Sequence, residues 1–203
     1  MLTQNLSDFW EKLYNNGDDS WDLGKTTPAL ETFFKNPLCP KKGRVLVPGA
    51  GRGWDAKAWA LKGHETVAVD FSPTAVDSLD SLSRQLANFT ALDLDLFELD
   101  PEKHGKFDII YEYHCFSSIH PGRRDEYFEV WQRMLKDNGL IIAFLYPICF
   151  ENPMEGPPHA TSEGELIARL EGVFDIEKQI DIKNSAAGRS GLEQIWLLRK
   201  AKQ

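Results

Sequence analysis

Short apolar runs alternate with segments of helical spacing along most of the chain. Four runs rich in β-branched and large apolar residues predict buried strands at residues 45–47, 66–69, 109–111 and 140–145. Helical patterns cover residues 54–62, 73–84, 124–135 and 162–171, with start signals at Ser72-Pro73 and Thr161-Ser162. Strands that alternate with helices predict an α/β fold built on a mostly parallel sheet.

Composition restricts the classes of function that fit. The chain has 203 residues, enough for one α/β domain, and a formal net charge of -8. Nucleic acid is therefore not an expected partner, because phosphate contacts need clustered Lys and Arg. No apolar run approaches the roughly 20 residues that span a bilayer. We therefore expect a small-molecule partner and no membrane partner.

The N-terminal residues and the cysteines add further expectations. The N-terminus has neither a basic nor an apolar leader, which predicts a cytoplasmic protein. Cys39, Cys115 and Cys149 are widely spaced and form no Cys-x-x-Cys pair, so reduced thiols and no metal site are expected. No pattern fixes the oligomeric state, and a monomer is the working expectation.

A glycine-rich turn follows the first predicted strand. Gly49, Gly51 and Gly53 occupy alternate positions there, and Asp70 ends the next strand. Glycines let main-chain N–H groups approach a bound cofactor, and the Asp70 carboxylate can accept hydrogen bonds from ribose hydroxyls. This arrangement predicts a nucleotide-cofactor site. The same turn, read from Gly51 to Ala56, also fits the loose Gly-x-Gly-x-x-Ala fingerprint for NAD or FAD, so the glycines alone leave the cofactor open.

The last part of the chain distinguishes a methyltransferase fold from a dinucleotide-binding dehydrogenase fold. Two strand-like runs, residues 174–183 and 193–200, are joined by the turn-rich segment 184–191, which predicts an antiparallel hairpin. The two-half dinucleotide fold keeps its strands parallel. A closing antiparallel hairpin therefore favours a methyltransferase fold over a dehydrogenase fold.

Five segments carry a resemblance to a known family. They are residues 10–12 with 21–24 and 27–28, residues 46–51, residues 69–73, residues 107–113, and Tyr146-Pro147 ahead of Gly156-Pro157-Pro158. In this order the chain resembles the S-adenosylmethionine-dependent thiol, thiocyanate and halide methyltransferases, relatives of thiopurine methyltransferase. The resemblance implies one Rossmann-like class I methyltransferase domain over residues 1–203. It implies an N-terminal helical lid at residues 1–35, and an α/β core at residues 43–203 with a mostly parallel seven-stranded sheet.

The resemblance also implies S-adenosyl-L-methionine as cofactor and suggests its contacts. Gly49 and Gly51 are expected to face the methionine part, and Asp70 to bind both ribose hydroxyls. Trp10 and Trp21 match family tryptophans near the sulfonium, where a cation over an aromatic face is favourable by roughly 0.5 to 2 kcal/mol. Packing as satellite core residues is the alternative for both tryptophans.

The adenine end is expected at the segment Leu92 to Phe97. There the resemblance selects Asp95 as the acidic side chain, with Leu96 and Phe97 beside it. Because Leu-Asp occurs twice, Asp93 is the alternative if the strand is shifted by two residues. A solvated acidic loop without a ligand is the other interpretation.

Candidate residues for the methyl acceptor follow later strands. Glu112 and Tyr113 follow the predicted strand at residues 109–111, at the carboxyl edge where open α/β folds bind ligands, and Glu112 is assigned to the cofactor. Tyr113 and Tyr146 match family tyrosines near the acceptor and are the predicted catalytic residues. The proline-rich loop at residues 146–161 is long enough to be functional. His114 departs from the family pattern and is left without a role.

These features predict transfer of a methyl group from S-adenosyl-L-methionine to a small thiol or to a thiocyanate- or halide-type nucleophile. Such a reaction needs positioning more than acid or base catalysis, because the sulfonium leaving group already carries its positive charge. An NAD-dependent oxidoreductase is one alternative, although no hydride-transfer site is recognisable. A non-catalytic S-adenosylmethionine-binding protein is the other.

Overall fold

A computed structural model describes residues 6–149 and 156–201. Its helices are α1 Ser7–Asn16, α2 Pro28–Phe33, α3 Trp54–Leu61, α4 Pro73–Gln85, α5 Pro101–His104, α6 Cys115–Ser118, α7 Arg124–Met134 and α8 Glu163–Leu170. Its strands are β1 Arg44–Pro48, β2 Glu65–Asp70, β3 Phe89–Asp93, β4 Phe107–Tyr113, β5 Leu135–Leu145, β6 Phe174–Asp181 and β7 Gln194–Lys200. No helix within those two ranges is long and apolar enough to cross a membrane.

The strands form one seven-stranded sheet in the order β3-β2-β1-β4-β5-β7-β6. Strand β2 pairs in parallel with both β1 and β3, and β4 pairs in parallel with β5. Strand β7 runs antiparallel to both β5 and β6. The predicted α/β fold, with a mostly parallel seven-stranded sheet and a C-terminal antiparallel hairpin, is confirmed.

Two strands differ from the sequence prediction. The prediction contains no strand at β3, because this edge strand is only partly buried and lacks a continuous apolar run. Strand β5 begins at Leu135, five residues before the predicted start. The prediction omits these residues because positions 136–138 are polar and exposed, unlike the apolar run that follows. Of the predicted loop at residues 146–161, residues 150–155 lie outside the described residues.

Two compact units make up the chain, Met1–Glu98 and Leu99–Gln203. The first contains strands β1 to β3 with helices α1 to α4, and the second contains strands β4 to β7 with the remaining helices. Large side chains fill the core of each unit. Leu30, Leu46, Trp59 and Leu79 are fully buried in the first, and Tyr111, Trp131, Phe144 and Trp196 in the second. The expectation of one domain over residues 1–203 stays a prediction.

A carboxylate on α1 binds the start of α4. Oε2 of Glu11 accepts hydrogen bonds from the Ser72 hydroxyl at 2.7 Å and from the Thr74 N–H at 2.9 Å, and Oε1 accepts one from the Thr74 hydroxyl at 2.8 Å. Ser72 occupies the N-cap position of α4, as its sequence signal indicates, but its side chain makes no cap bond. Glu11 thus supplies the cap from another helix. The Ser7 hydroxyl, which donates to the Phe71 carbonyl at 2.6 Å, adds a second attachment.

Replacing Glu11 with Ala is expected to destabilise the protein by about 1 kcal/mol at neutral pH, the typical effect of losing a cap side chain. The Thr74 N–H and the Ser72 hydroxyl lower the pKa of Glu11. A lowered carboxyl pKa gives stability above its unfolded value of 4.5 that is lost as pH falls through the folded value. The difference between Glu11→Ala and the wild type should therefore shrink in acid.

Urea unfolding at several pH values measures this difference. Lys12→Ala is the matched control, because Lys12 is an exposed neighbour in the same helix, and it should change stability by less than about 0.5 kcal/mol. Equal effects of the two substitutions would contradict the capping role of Glu11.

Candidate active site

The glycine turn of the first unit is built from left-handed backbone. Gly49, Gly51 and Gly53 have φ values of 55°, 55° and 80° between β1 and α3. A Cβ at Gly53 would lie 2.6 Å from Cδ2 of the Leu79 side chain on α4, so any larger residue would force Leu79 to shift. A Cβ at Gly51 would lie 3.1 Å from the Tyr14 hydroxyl. The turn therefore needs glycine both for its conformation and for the close approach of its neighbours.

Asp70 fixes this turn from the end of β2. Its Oδ2 accepts a hydrogen bond from the Gly51 N–H at 2.8 Å, and its Oδ1 accepts from the N–H groups of Phe71 at 2.9 Å and Ser72 at 3.1 Å. Burial raises the pKa of Asp70, and the three N–H groups oppose that shift. A carboxylate has about four acceptor positions, so one on Oδ2 remains for a ligand. If Asp70 bound both ribose hydroxyls, as predicted, the second hydroxyl would have to share an acceptor position with one of the three main-chain N–H groups.

The predicted tryptophans lie in an aromatic cluster of the N-terminal segment. Trp21 meets Trp10 edge to face with ring centroids 5.6 Å apart, and meets Tyr14 in the same way at 5.4 Å. Both tryptophans are half-buried, so each also keeps exposed surface. The Tyr14 hydroxyl connects the cluster to the glycine turn, because it lies next to Gly51.

Arg52, within the glycine turn, holds the N-terminal segment. Its Nη1 donates to Asp19 at 2.6 Å and to Asp22 at 2.9 Å, on either side of Trp21. Asp22 also accepts a hydrogen bond from the Trp54 indole N–H at 2.9 Å. The sequence alone does not predict this role of Arg52. Its only sequence signal is a basic residue between two glycines, opposite an acidic pair.

The predicted adenine segment follows β3. Asp95 is half-buried, and its Oδ1 accepts a hydrogen bond from the Phe97 N–H at 3.0 Å, at the start of the 3-10 helix Leu96–Glu98. The alternative residue, Asp93, is exposed and pairs in register with Asp70 across β2 and β3. The local hydrogen bond gives the Asp95 side chain a defined orientation. Its contact with adenine, and those of Leu96 and Phe97, stay predictions.

Glu112 lies in the second unit and is fully buried. Its Oε1 accepts a hydrogen bond from the Phe116 N–H at 2.7 Å, and its Oε2 accepts one from the Tyr127 hydroxyl. Burial raises the pKa of Glu112 to about 7. The side chain joins β4 to α6 and α7, and the predicted cofactor contact of Glu112 stays a prediction.

The two predicted catalytic tyrosines share an arginine in the second unit. Arg189 donates a hydrogen bond to the Tyr113 hydroxyl, and its guanidinium lies 5.7 Å from the Tyr113 ring centroid and 5.8 Å from that of Tyr146. The Tyr113 hydroxyl also lies 3.4 Å from Oε1 of Glu193, to which it donates. Arg189 and Glu193 are both buried. Neither residue is among the site residues that the sequence predicts.

His114 completes this acceptor cluster, which we define as Tyr113, His114, Tyr146, Arg189 and Glu193. The imidazole stacks on the Tyr146 ring, with centroids 4.8 Å apart and planes within 10°, and its Nε2 lies 3.5 Å from Oε1 of Glu193. A φ of 64° places His114 in the left-handed region, which is uncommon outside glycine and costs roughly 1 to 3 kcal/mol. Burial lowers the pKa of His114, which favours the neutral imidazole.

Comparison with known proteins identifies the family. The sequence profile of the thiopurine S-methyltransferase family matches residues 5–195. The chain belongs to this family. Probable thiol methyltransferase 2 of Arabidopsis thaliana is 32% identical over 205 residues, covering 99% of this chain and 88% of that relative. Thiocyanate methyltransferase 1 of Brassica oleracea is also 32% identical, over 198 residues that cover 94% of this chain and 84% of that relative.

A solved methyltransferase structure has the same fold as this chain. The 1,6-didemethyltoxoflavin-N1-methyltransferase of Burkholderia thailandensis superposes with a TM-score of 0.74 at 22% identity, over 98% of this chain and 88% of that one. The predicted class I methyltransferase fold is confirmed. Membership of the thiopurine S-methyltransferase family makes the protein an S-methyltransferase with S-adenosyl-L-methionine as cofactor. None of these relatives supports the oxidoreductase alternative.

The Glu112→Gln substitution is expected to remove one source of pH-dependent stability. The pKa of Glu112 in the folded protein, about 7, exceeds its unfolded value of 4.5. The wild type therefore loses stability at this site as pH rises from about 4.5 to 7, whereas a neutral Gln does not. Relative to the wild type, the variant should gain up to about 3 kcal/mol across that interval.

Urea unfolding at pH 5 and pH 8 measures this gain. Glu129→Gln, on the exposed side of α7, is the control and should show the same pH dependence as the wild type. A constant difference between Glu112→Gln and the wild type at both pH values would show that Glu112 is ionised throughout.

Proposed function

We propose that this protein methylates the sulfur of a small thiol, or a thiocyanate- or halide-type anion. The observation that carries the proposal is the match, over nearly the whole chain, to relatives named thiol and thiocyanate methyltransferases. The acceptor cluster supports it. It presents aromatic rings, one arginine and one carboxylate, a set that suits a small polarisable acceptor rather than a large charged one.

The cofactor is assigned to residues of the first unit. Gly49 and Gly51 would hold the methionine part, and the open acceptor position on Asp70 supports a ribose contact. The glycine turn suits such a ligand, since a main chain without side chains lets a bound group approach its N–H groups closely. When bound, S-adenosyl-L-methionine supplies an electrophilic methyl group. The half-buried faces of Trp10 and Trp21 would stabilise its positive charge.

The adenine would bind at Asp95, Leu96 and Phe97. Asp95 is already oriented by the Phe97 N–H, and the partly exposed side chains of Leu96 and Phe97 would cover the ring. We keep Asp93 as the alternative acidic residue. Glu112 would contribute through its main chain alone, because its side chain is fully buried and joins β4 to α6 and α7.

The acceptor is assigned to Tyr113 and Tyr146, the two residues for which we propose catalytic roles. Tyr113 is the last residue of β4 and Tyr146 follows directly on β5, so both lie at the carboxyl ends of strands, where open α/β folds bind ligands. Arg189 orients the Tyr113 hydroxyl, and His114 fixes the plane of the Tyr146 ring. Their task is to position sulfur and exclude water, since orientation of two reactants lowers a barrier by roughly 7 to 11 kcal/mol.

The setting of the reaction is also part of the proposal. A net charge of -8 supports a small-molecule partner rather than nucleic acid. We also propose that the protein is cytoplasmic and acts as a monomer. In the part of the chain that the structure describes, no group of three His, Cys, Asp or Glu side chains is placed to hold a metal ion.

Turnover by the purified protein tests the proposal. S-adenosyl-L-methionine would be incubated in parallel with hydrosulfide, alkyl thiols, aryl thiols, thiocyanate and iodide, and the methylated products identified by mass spectrometry. We expect methylated product from at least one of these acceptors, and a raised acceptor KM in Tyr146→Ala. Tight binding of S-adenosylhomocysteine without any product would contradict the proposal and favour a non-catalytic binding protein.

A further inference from the structure

Glu193 is a buried carboxylate that the methyl transfer itself does not need. Its side chain is 1% exposed, and it lies directly before β7. Oε1 faces the Tyr113 hydroxyl at 3.4 Å and Nε2 of His114 at 3.5 Å. Oε2 is buried and has no hydrogen-bond partner among residues 6–149 and 156–201. Burying an ionised carboxylate with an unsatisfied oxygen is costly, so a purely structural role explains it poorly.

The direction of the hydrogen bonds points to proton transfer. Arg189 has only donors, so the Tyr113 oxygen is the acceptor in their contact. The single Tyr113 proton therefore points at Glu193, to whose Oε1 the hydroxyl donates at 3.4 Å. A phenol oxygen can accept a second hydrogen bond. Tyr113 is thereby prepared to receive a proton on one side while it donates its own to Glu193 on the other.

We propose that Glu193, acting through Tyr113, takes up the proton of a thiol acceptor and so favours protonated thiols over anionic acceptors. This inference rests on the proposed function. In the step, the S–H proton moves to the Tyr113 oxygen while the Tyr113 proton moves to Oε1 of Glu193. The thiol sulfur bonds the methyl carbon, and the electrons of the breaking carbon–sulfonium bond remain on S-adenosylhomocysteine. Glu193 then loses its proton to water.

The charges around Glu193 support this preference. The titratable or charged groups that face it from neighbouring elements are Tyr113 and His114, with Arg189 bound to Tyr113. Burial keeps the imidazole neutral by lowering the pKa of His114. Iodide and thiocyanate carry no proton to remove, so a proton acceptor at Glu193 gives them no advantage. An alkyl thiol, mostly protonated at neutral pH, gains from a nearby proton acceptor.

The test compares two acceptors in Glu193→Gln, which keeps the side-chain shape and removes its basicity. At pH 7 we expect kcat/KM for an alkyl thiol to fall about 100-fold, as when a general base is lost. For thiocyanate it should change less than about 3-fold. The remaining thiol activity should rise about tenfold per pH unit until the thiol itself ionises, because the variant uses preformed thiolate.

Two further variants keep the result interpretable. Tyr113→Phe removes the relaying hydroxyl and should reproduce the selective loss of thiol activity. Glu171→Gln, at an exposed position of the same unit, should match the wild type. Equal losses with both acceptors in Glu193→Gln, or an unchanged thiol pH profile, would overturn the inference.

Wild-type activity separates this inference from the proposed function. If the wild type methylates neither acceptor nor any other in the panel, the proposed function fails and the inference fails with it. If it methylates thiocyanate but no thiol, the inference alone is overturned. If it methylates thiol alone, the pH profile of Glu193→Gln decides.

Discussion

The first unit depends on one half-buried carboxylate, that of Asp70. It accepts main-chain N–H groups from Gly51 and Ser72, and so ties the glycine turn to the start of α4. The N-terminal segment attaches at the same two places, through Arg52 in the turn and through Glu11 at the helix. The aromatic cluster of that segment is therefore placed against the turn by the network that Asp70 organises, before any cofactor binds.

In the second unit, strand pairing brings the residues of the acceptor cluster together. Because β7 pairs with β5, which pairs with β4, the residues just before β7 reach the end of β4. Arg189 and Glu193 thereby contact Tyr113, although 76 and 80 residues separate them in the chain. The strained backbone of His114 turns its ring onto Tyr146. A methyl transfer needs oriented groups rather than strong acids or bases, and this cluster orients them.

Local signals in the sequence account for the parallel core, the hairpin, and the positions of Gly51 and Asp70. They fail where contacts between residues distant in the sequence determine a strand or the burial of a side chain. The edge strand β3 lacks a continuous apolar run, and the burial of Glu112 depends on Tyr127 from a distant helix. Glu193 reads as the first residue of an ordinary strand. Only the pairing of β5 with β7 reveals that it faces the catalytic candidates.

The most direct test of this account is calorimetric titration of Asp70→Asn with S-adenosylhomocysteine. A charged hydrogen-bond acceptor contributes about 1.5 to 3 kcal/mol, so the Asn variant should bind roughly 10- to 150-fold more weakly than the wild type. Asp80→Asn, an exposed change on α4, should bind as the wild type does. An affinity within about twofold of the wild type in Asp70→Asn would contradict the central role of this carboxylate.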